Sequence, residues 1–234
     1  MERLVEPEWL DHLSVDDPDA VGSRRDLKRL NVWMGHVSIL TKTLQEIGDG
    51  WTPRKIVELG AGDGDFLLSV AKRFLGNWNN IHAVLIDRHN VVSSSTRQQF
   101  SDLGWRAEPI QADVFDWLEK SAGTSGELMI ANLFLHHFER ASLARLLGLV
   151  GARAGRFIAV EPRRSWWSFL FSRMVRLIGC NAVTGHDAPI SVKAGFKEQE
   201  LTQLWPDRAG WRLYEAEAGL FSHVFAAVNA SPRT

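Results

Sequence analysis

Residues Ile56–Phe66 decide the fold, and they read Ile-Val-Glu-Leu-Gly-Ala-Gly-Asp-Gly-Asp-Phe. An apolar run leads into three alternating glycines, Gly60, Gly62 and Gly64, and an amphipathic stretch follows. Glycines let a backbone turn tightly and approach a ligand with no Cβ in the way. The helix behind such a turn presents free N–H groups and the positive end of its dipole. The stretch therefore predicts a strand–loop–helix unit with a ligand site at the carboxyl edge of a parallel sheet.

The rest of the chain repeats this alternation of short apolar runs and amphipathic stretches. The predicted strands are Lys55–Leu59, Ile81–Ile86, Arg106–Gln111, Leu128–Asn132 and Arg156–Val160. The predicted helices are Asp65–Phe74, Arg88–Leu103, Val114–Ser121, Glu139–Ala152 and Glu198–Leu204. Strands that alternate with helices form a parallel α/β sheet with right-handed crossovers. Two last strands, Trp211–Glu217 and Phe221–Val228, are close enough in sequence that they pair as an antiparallel hairpin.

Two further segments are expected to cover this sheet. Residues 1–50 are predicted as an N-terminal helical cap, because apolar residues recur at helical spacing from Ser23 to Ile47. Asp17-Pro18 before them is typical of a turn. Residues 51–234 form the main domain, in which residues 163–196 interrupt the alternation and are predicted to be an inserted lid over the substrate.

Composition excludes several classes of protein. Twenty-seven Lys and Arg residues balance 28 Asp and Glu residues, for a net charge of −1, so no nucleic-acid partner is expected. The single cysteine, Cys180, excludes a disulfide scaffold and fits a reducing compartment. Residues 1–30 lack the apolar core of a signal peptide, and no run is apolar enough to span a membrane. A cytoplasmic location is therefore expected.

The glycine stretch differs from the two common nucleotide-binding patterns. A dinucleotide loop requires glycine at position 65, where this chain has Asp65. Glu58, two residues before the first glycine, would repel a pyrophosphate but suits a cationic amino group. No Gly-Lys-Ser/Thr sequence follows, which excludes a P-loop. The predicted ligand therefore carries a positive charge near Glu58.

Polar residues follow the next three predicted strands. Asp87 comes after the second strand, where a carboxylate can accept both hydroxyls of a ribose, or cap the next helix. Asp113 comes after the third strand, and it too could bind a ligand or cap a helix. Asn132 ends the fourth strand. The carboxyl ends of parallel strands share one edge of a sheet, so these side chains are predicted to lie near the glycine loop.

Together these motifs resemble those of the class I S-adenosylmethionine (SAM)-dependent methyltransferases over about residues 55–162. The sequence pattern is loosely similar to that of the small-molecule branch, which includes the ubiquinone and menaquinone methyltransferases. The resemblance implies a Rossmann-like, seven-stranded, mostly parallel sheet of order 3-2-1-4-5-7-6 with the last strand antiparallel. It also implies SAM as the cofactor and S-adenosylhomocysteine (SAH) as its product. The cofactor-binding residues implied are Glu58, Gly60, Ala61, Gly62, Gly64, Asp87, Arg88, Asp113, Val114, Asn132 and Leu133.

Within this resemblance each motif has an expected partner on the cofactor. Asp87 would bind the ribose, and Asp113 would accept from the adenine amine while the backbone N–H of Val114 reaches the ring. Asn132 and Leu133 would lie beside the methionine part.

A methyl acceptor with a hydroxyl group needs a general base, and histidine titrates near neutral pH. The candidates for catalysis are His136 and His137 after the fourth strand, and His186 in the insert. Only one of the two adjacent histidines is expected to face the pocket, and His136 is slightly favoured over His137. The expected acceptor pocket contains Trp33, His36, Trp166, Trp167 and Asp187. No metal is expected, because His136-His137-x-Glu139 has no known ligand spacing.

The expected reaction is methyl transfer to a small apolar, aromatic acceptor such as a phenol, quinol or polyketide, with oxygen slightly favoured over carbon as the methylated atom. Residues 163–178 combine aromatic, apolar and basic side chains. They are predicted to be a lid helix, or an interfacial helix that touches anionic lipid as a peripheral contact. Arg173 and Arg176 argue against a spanning helix.

Three other functions remain open at this stage. An NAD-dependent dehydrogenase is disfavoured by Asp65 and Glu58. A nucleic-acid methyltransferase is disfavoured because Asn132 is not followed by the Pro-Pro-aromatic sequence of those enzymes. A non-catalytic protein that keeps the SAM-binding fold to bind a partner would carry the same motifs. The sequence predicts no oligomeric state.

Overall fold

The structure is a computed structural model that describes residues 1–48, 50–120 and 128–230. Within these residues seven strands form one sheet of order β3-β2-β1-β4-β5-β7-β6. The strands are β1 (Lys55–Leu59), β2 (His82–Asp87), β3 (Arg106–Gln111), β4 (Leu128–Asn132), β5 (Arg156–Pro162), β6 (Trp211–Ala218) and β7 (Ser222–Asn229). β1 to β5 pair in parallel, and β7 runs antiparallel to both β5 and β6. The predicted sheet order and the antiparallel last strand are confirmed.

Helices cover both faces of this sheet. In the described part of the chain they are α1 (Pro18–Met34), α2 (His36–Gly48), α3 (Asp65–Arg73), α4 (Ser94–Asp102), α5 (Val114–Lys120), α6 (Arg140–Arg153), α7 (Trp166–Ser172), α8 (Ala182–Ala194) and α9 (Glu200–Leu204). Short 3₁₀ turns lie at Leu10–His12, Leu135–His137, Val175–Ile178 and Arg208–Gly210. None of the described helices has the length and apolar composition needed to cross a bilayer.

Two apolar layers hold the helices to the sheet. On one face α2, α3 and α4 pack over Ile56 and Leu85. On the other face α5, α6 and α9 pack over Val57 and Met129. Adjacent strand residues alternate between the two layers and both faces are buried, which explains why these strands read as continuous apolar runs. A small third cluster, which includes Leu30, joins α1 to the insert.

The N-terminal helical region begins earlier than its apolar spacing predicts. Asp17 caps α1, since its Oδ1 accepts the N–H of Asp19 at 2.8 Å, and Pro18 occupies the first helical position. Proline is favoured there because its missing N–H has no partner within a helix. Asp17-Pro18 is therefore a helix start and not an isolated turn. Gly35, with φ of 72°, ends α1 and separates it from α2.

The helix after β2 is shorter than the predicted Arg88–Leu103. It begins at Ser94, because the Ser93 hydroxyl accepts the N–H of Thr96 at 3.0 Å and caps it there. Asp87 is therefore not the cap of this helix, and the residues between Asp87 and Ser93 are a loop at the sheet edge. The last residue of the predicted helix Val114–Ser121 lies outside the described residues.

The insert contains two helices, whereas a single lid helix was one of the predictions for it. α7 ends at Ser172, a 3₁₀ turn follows, and Gly179 with φ of 87° reverses the chain. Asn181 then caps α8 by accepting the N–H of Thr184 at 2.9 Å. α8 packs against both α7 and α1, so the insert and the N-terminal helices meet above the carboxyl ends of the strands.

Candidate functional site

A cavity of about 520 Å³ lies at the carboxyl ends of the parallel strands. Its walls come from the glycine loop, the strand ends, the N-terminal segment, α1, α7 and α8. Open α/β sheets bind their ligands at this edge. The cavity therefore brings the predicted cofactor motifs and the insert to one place.

The glycine loop has a backbone that other residues adopt with strain. Gly60, Gly62 and Gly64 have φ values of 69°, 53° and 76°. A Cβ at Gly60 would also lie 2.2 Å from Cδ2 of Phe134. Gly60 and Gly62 line the cavity, and the N–H of Ala61 is bonded to Ile86 O at 2.9 Å. The loop thus presents bare backbone to any occupant of the cavity.

Asp87 ties this loop to the end of β2. Its Oδ2 accepts the N–H of Gly62 at 2.8 Å, and its Oδ1 accepts the N–H of His89 at 2.9 Å. The carboxylate is half-buried and lines the cavity. Asp87 therefore fixes the loop and is itself part of the cavity wall.

Glu58 is buried beneath the loop and does not line the cavity. Burial raises the pKa of Glu58 well above its usual value, and the nearby carboxylates of Asp63, Asp87 and Asp65 raise it further. Its Oε2 has no hydrogen-bond partner among the described residues. Three other carboxyl groups lie near this orphaned buried oxygen, and two of them, Asp63 and Asp65, pair with Lys28. A cationic ligand beside the third, Asp87, would stabilise this arrangement.

Asp113 caps a helix, which is one of its two predicted roles, and it pairs with Arg88; it does not line the cavity. Its Oδ1 accepts the N–H of Phe115 at 2.9 Å and caps α5, while its Oδ2 pairs with Nη2 of Arg88 at 2.9 Å. Burial opposes the charged form, but the hydrogen bonds from Arg88 and Phe115 outweigh it and lower the pKa of Asp113. Arg88 and Val114 line the cavity beside this pair.

Asn132 faces the N-terminal helices, whereas Leu133, with φ of 51°, lines the cavity. Nδ1 of His36 lies 2.7 Å from Oδ1 of Asn132, and Nε2 of His36 lies 2.9 Å from Oγ of Ser222. Burial lowers the pKa of His36 to about 4, so the ring is neutral at pH 7. The amide oxygen therefore accepts from Nδ1–H, and the other nitrogen accepts from the hydroxyl. His36 does not line the cavity.

His136 is buried between two carboxylates. Its Nδ1 lies 2.8 Å from Oε2 of Glu161, and its Nε2 lies 3.4 Å from Oε1 of Glu8. Burial disfavours the imidazolium, but the hydrogen bonds and charges of Glu161 and Glu8 outweigh burial and raise the pKa of His136 to about 9. The ring is therefore charged at neutral pH and donates both N–H groups.

His137 is half-buried on the same cavity wall. Its Nδ1 lies 3.5 Å from Oδ2 of Asp11, a residue of the N-terminal segment. Ligand atoms of His137, His136 and Glu8 lie within 4.8 Å of one another, which is the composition of a small metal site. Glu8 and His136 already have each other as ionic partners, and His137 has Asp11.

His186 lies outside the cavity lining. Its ring stacks on Trp9 at 3.8 Å between centroids, and its Nδ1 lies 2.8 Å from Oδ1 of Asp187. The Asp187 carboxylate is buried and accepts the N–H groups of Trp9 and Leu10 at 2.9 and 3.0 Å. This pair anchors the N-terminal segment to α8.

The three predicted pocket tryptophans have different places. Trp33 lines the cavity and stacks on Phe221 at 4.8 Å between centroids. Trp166 and Trp167 are exposed on the outer face of α7 and do not line the cavity.

Sequence reasoning missed the carboxylates that face the histidines. Glu8 and Asp11 belong to a polar segment with no periodicity, so no signal marks them. Glu161 was detectable as an acid just after the predicted fifth strand. β5 extends past it to Pro162, and Glu161 accepts the N–H groups of Phe134 and Leu135 at 3.0 and 2.8 Å.

The sequence matches no family model and no curated protein. Solved structures do match the fold. The plantazolicin methyltransferase BpumL in complex with SAH superposes with a TM-score of 0.65, at 14% identity, over 92% of this chain and 91% of that one. An O-methyltransferase family protein from Burkholderia thailandensis gives a TM-score of 0.60 at 16% identity, over 92% of this chain.

The mitomycin 7-O-methyltransferase MmcR gives a TM-score of 0.56 at 17% identity, over 94% of this chain. The present chain spans 60% of MmcR and 60% of the Burkholderia protein, so both have substantial additional structure. These likenesses agree with the strand order of the sheet. The chain therefore has the fold of the class I SAM-dependent methyltransferases, as its motifs predict.

Proposed function

We propose that this protein transfers a methyl group from SAM to an oxygen atom of a small, apolar, aromatic acceptor. The observation that carries the proposal is one cavity with two unlike walls. The glycine loop and Asp87 form one wall, and His136 and His137 form another. When bound, SAM supplies a methyl group on a positively charged sulfur, which is ready for displacement by a nucleophile.

The residues at the sheet edge suit the charge and shape of that cofactor. The carboxylate of Asp87 on the cavity wall favours a cation, and the bare backbone at Gly60 and Gly62 admits a close ligand. Asp87 would hold ribose hydroxyls, and the wall formed by Arg88 and Val114 would lie along the adenine. Asn132 faces the N-terminal helices, so it would act indirectly, through its contact with His36.

We assign the general base to His137 and not to His136. A group that already holds its proton at neutral pH cannot remove one from an acceptor, and His136 has a pKa of about 9. His137 shares the cavity wall and has Asp11 at 3.5 Å to orient its ring. His136 would instead hold Glu8 in place. A hydroxyl acceptor must lose its proton as its oxygen gains the methyl group, which is the step that His137 would assist.

Apolar side chains define the acceptor class. The cavity walls contributed by α1, α7 and the insert include Leu27, Leu30, Met34, Phe171 and Val175. Such a surface favours an acceptor that buries apolar area, and aromatic rings give specific packing with Trp33 and Phe221. We propose that α1, α7 and α8 act together as the cover that keeps water from the reacting atoms.

Calorimetric titration with SAH tests the cofactor assignment. We expect wild-type protein to bind SAH and Asp87→Ala to bind at least roughly tenfold more weakly, because charged hydrogen bonds contribute about 1.5–3 kcal/mol. Asp102→Ala, an exposed carboxylate at the end of α4, is the matched control and should bind as wild type. Binding of NADH instead of SAH would contradict the proposal.

Turnover of a panel of phenols and quinols, followed by SAH release, tests the base. His137→Ala should lose roughly 10²–10⁴-fold in kcat/KM with unchanged SAH affinity, whereas His186→Ala should stay near wild type. Addition of EDTA should leave turnover unchanged, and a loss would point to the Glu8–His136–His137 cluster as a metal site. Tight SAH binding without turnover of any acceptor would favour a non-catalytic binding protein.

A further inference from the structure

The insert exposes an apolar surface whose residues do not line the cavity. This insert patch consists of Trp166, Trp167, Leu170, Met174, Leu177 and Ile178. Trp166 is 72% exposed, and Leu177 is 79% exposed. Contiguous exposed apolar surface of this kind marks an interaction site, because single scattered apolar residues are common but clusters are not.

The pattern along α7 shows that this exposure is built into the sequence. Trp166 and Leu170 are four residues apart and so lie on one helix face. The inward positions are taken by the small polar residues Ser168 and Ser172, which are buried and line the cavity. Ser168 donates to the carbonyl oxygen of Leu220 at 3.2 Å. Trp166, Trp167 and Leu170 therefore point outward while the two serines pack inward, the reverse of a helix that only covers a core.

The charged residues within the insert segment from Arg163 to Cys180 are all basic. No Asp or Glu occurs between Arg163 and Cys180. Arg163 and Arg164 pair with Glu217 and Glu200. In contrast, the exposed Arg173 and Arg176 have no ion pair among the described residues. Asp26, which reaches this region from α1, is buried and paired with Arg29.

Two unpaired cations beside exposed tryptophan and leucine fit the boundary of an anionic bilayer. The arginines reach the headgroups while the apolar side chains enter the acyl boundary. A symmetric contact between two copies would bring the same cations together with no acid in the insert patch to neutralise them. Charge complementarity therefore favours lipid over a second copy of this chain.

The insert patch is continuous with the mouth of the cavity. Phe171 packs edge-on against Phe221 with 5.3 Å between ring centroids, and Phe221 stacks on Trp33. All three rings line the cavity, and Phe171 and Trp33 are also exposed. An apolar molecule at the patch would therefore meet only aromatic and aliphatic surface on its way inward.

We propose that the insert patch rests on an anionic lipid surface and that the acceptor enters the cavity from that surface between Trp33 and Phe171. The docking itself is independent of methyl transfer, whereas the entry of an acceptor rests on the proposed function. The acceptor class that follows is an amphiphile, with an apolar tail and a hydroxyl-bearing ring.

Vesicle co-sedimentation tests the docking. The probes are vesicles of phosphatidylcholine alone and vesicles mixed equally with phosphatidylglycerol, each at low and at high salt. We expect binding to the anionic vesicles at low salt and loss of that binding at high salt, because salt screens exposed charges. Absence of wild-type binding at low salt overturns the proposal.

Paired variants distinguish vesicle binding through the insert patch from nonspecific binding. Leu177→Ser should weaken binding, whereas Leu75→Ser, at another exposed leucine that follows α3, should not. The double variant Trp166→Ser/Trp167→Ser should bind anionic vesicles at least roughly tenfold more weakly, because it buries less apolar area. In the double variant Arg173→Gln/Arg176→Gln, affinity for anionic vesicles should fall roughly fivefold for each arginine removed.

Arg140→Gln/Arg208→Gln is the charge control, because both of these arginines are exposed outside the insert patch. Equal binding by the patch variants and their controls overturns the proposal. A dimer in light scattering that the tryptophan variant converts to monomer, without vesicle binding, overturns it in favour of a second copy. SAH affinity measured on every variant reports the cofactor site separately, so failure of docking and failure of the proposed function are distinguishable.

Discussion

Two of the three buried histidines in the described residues, His36 and His136, lie near the end of β4 and differ in charge. Both rings are almost inaccessible to solvent. His36 contacts an amide and a hydroxyl, and burial lowers its pKa to about 4. His136 contacts two carboxylates, which overcome burial and raise its pKa to about 9. Equal burial thus leaves one ring neutral and the other cationic, so the chemistry of the partners decides the charge.

This difference divides the region into two kinds of contact. The His36 cluster is a neutral hydrogen-bonded network that attaches the start of α2 to the sheet. The Glu8–His136–Glu161 cluster is a buried ion triad on the cavity wall. Neutral networks and ion triads respond differently to pH and to the loss of one member, which gives several ways to test the assignment.

The largest effect is expected from removing one carboxylate of the triad. Glu161→Gln should lower the free energy of unfolding by about 3–5 kcal/mol, because breaking a buried ion pair leaves an uncompensated charge. Urea denaturation at neutral pH measures the change. The control is Glu217→Gln, which breaks the exposed pair with Arg163 and should cost less than about 1 kcal/mol. Equal costs would mean that His136 is not charged in the folded protein.

The next effect is a loss of stability at alkaline pH. The folded-state pKa of His136, about 9, is above the ordinary value of 6.5. The protonated ring therefore makes its whole contribution to the free energy of unfolding below pH 6.5. That contribution, about 3 kcal/mol, is lost as the pH rises through 9. Denaturation midpoints from pH 6 to 10 should show this decline in wild type, and His136→Gln should flatten it. A decline that persists in the variant would assign it to other groups.

A smaller effect should follow from giving His36 a charged partner. In Asn132→Asp a carboxylate replaces the amide oxygen 2.7 Å from Nδ1, which should raise the pKa of His36 by roughly one to three units. In wild type the neutral ring makes stability fall as pH drops from 6.5 to about 4. The variant should lose much of that acid-side decline. Imidazole NMR titration follows the ring directly, and a pKa that stays near 4 would contradict the comparison.

The smallest effect is expected from removing a neutral partner. Ser222→Ala deletes the hydroxyl that donates to His36 and should cost about 1 kcal/mol. Ser191→Ala deletes the hydroxyl that donates to Glu8 in the triad and should cost more, about 1.5–3 kcal/mol, because its acceptor is charged. Thermal unfolding of the two variants ranks them. The reverse order would mean that the triad is not the more strongly coupled cluster.

Local patterns predicted the scaffold because each of its signals is contained in a few neighbouring residues. The strands Lys55–Leu59 and Arg106–Gln111 have the predicted bounds, and the glycine loop lies where its sequence places it. The closing hairpin followed from its short connection. Burial on both faces of the sheet makes these strands visible as apolar runs.

The cavity wall opposite the glycine loop was less predictable, because its charges come from distant parts of the chain. His136 was a candidate base from its position alone, but its charge depends on Glu8, which is far away in sequence. Trp166 and Trp167 were expected to line the pocket because large rings are usually buried, and the small serines of α7 take that place instead. Sequence periodicity carries no information on such partners.

The N-terminal segment has a consequence for how the protein is made. Arg3 donates to the carbonyl oxygen of Ala194, and Asp187 accepts the N–H of Trp9. Residues 1–12 are thus translated long before the residues that bind them. Contacts between segments so far apart in sequence form slowly. A nascent chain arrested before α8 would carry both loop histidines but would lack Asp187 and Ser191, which also hold the N-terminal segment. The cavity is therefore among the last parts of the molecule to be completed during translation.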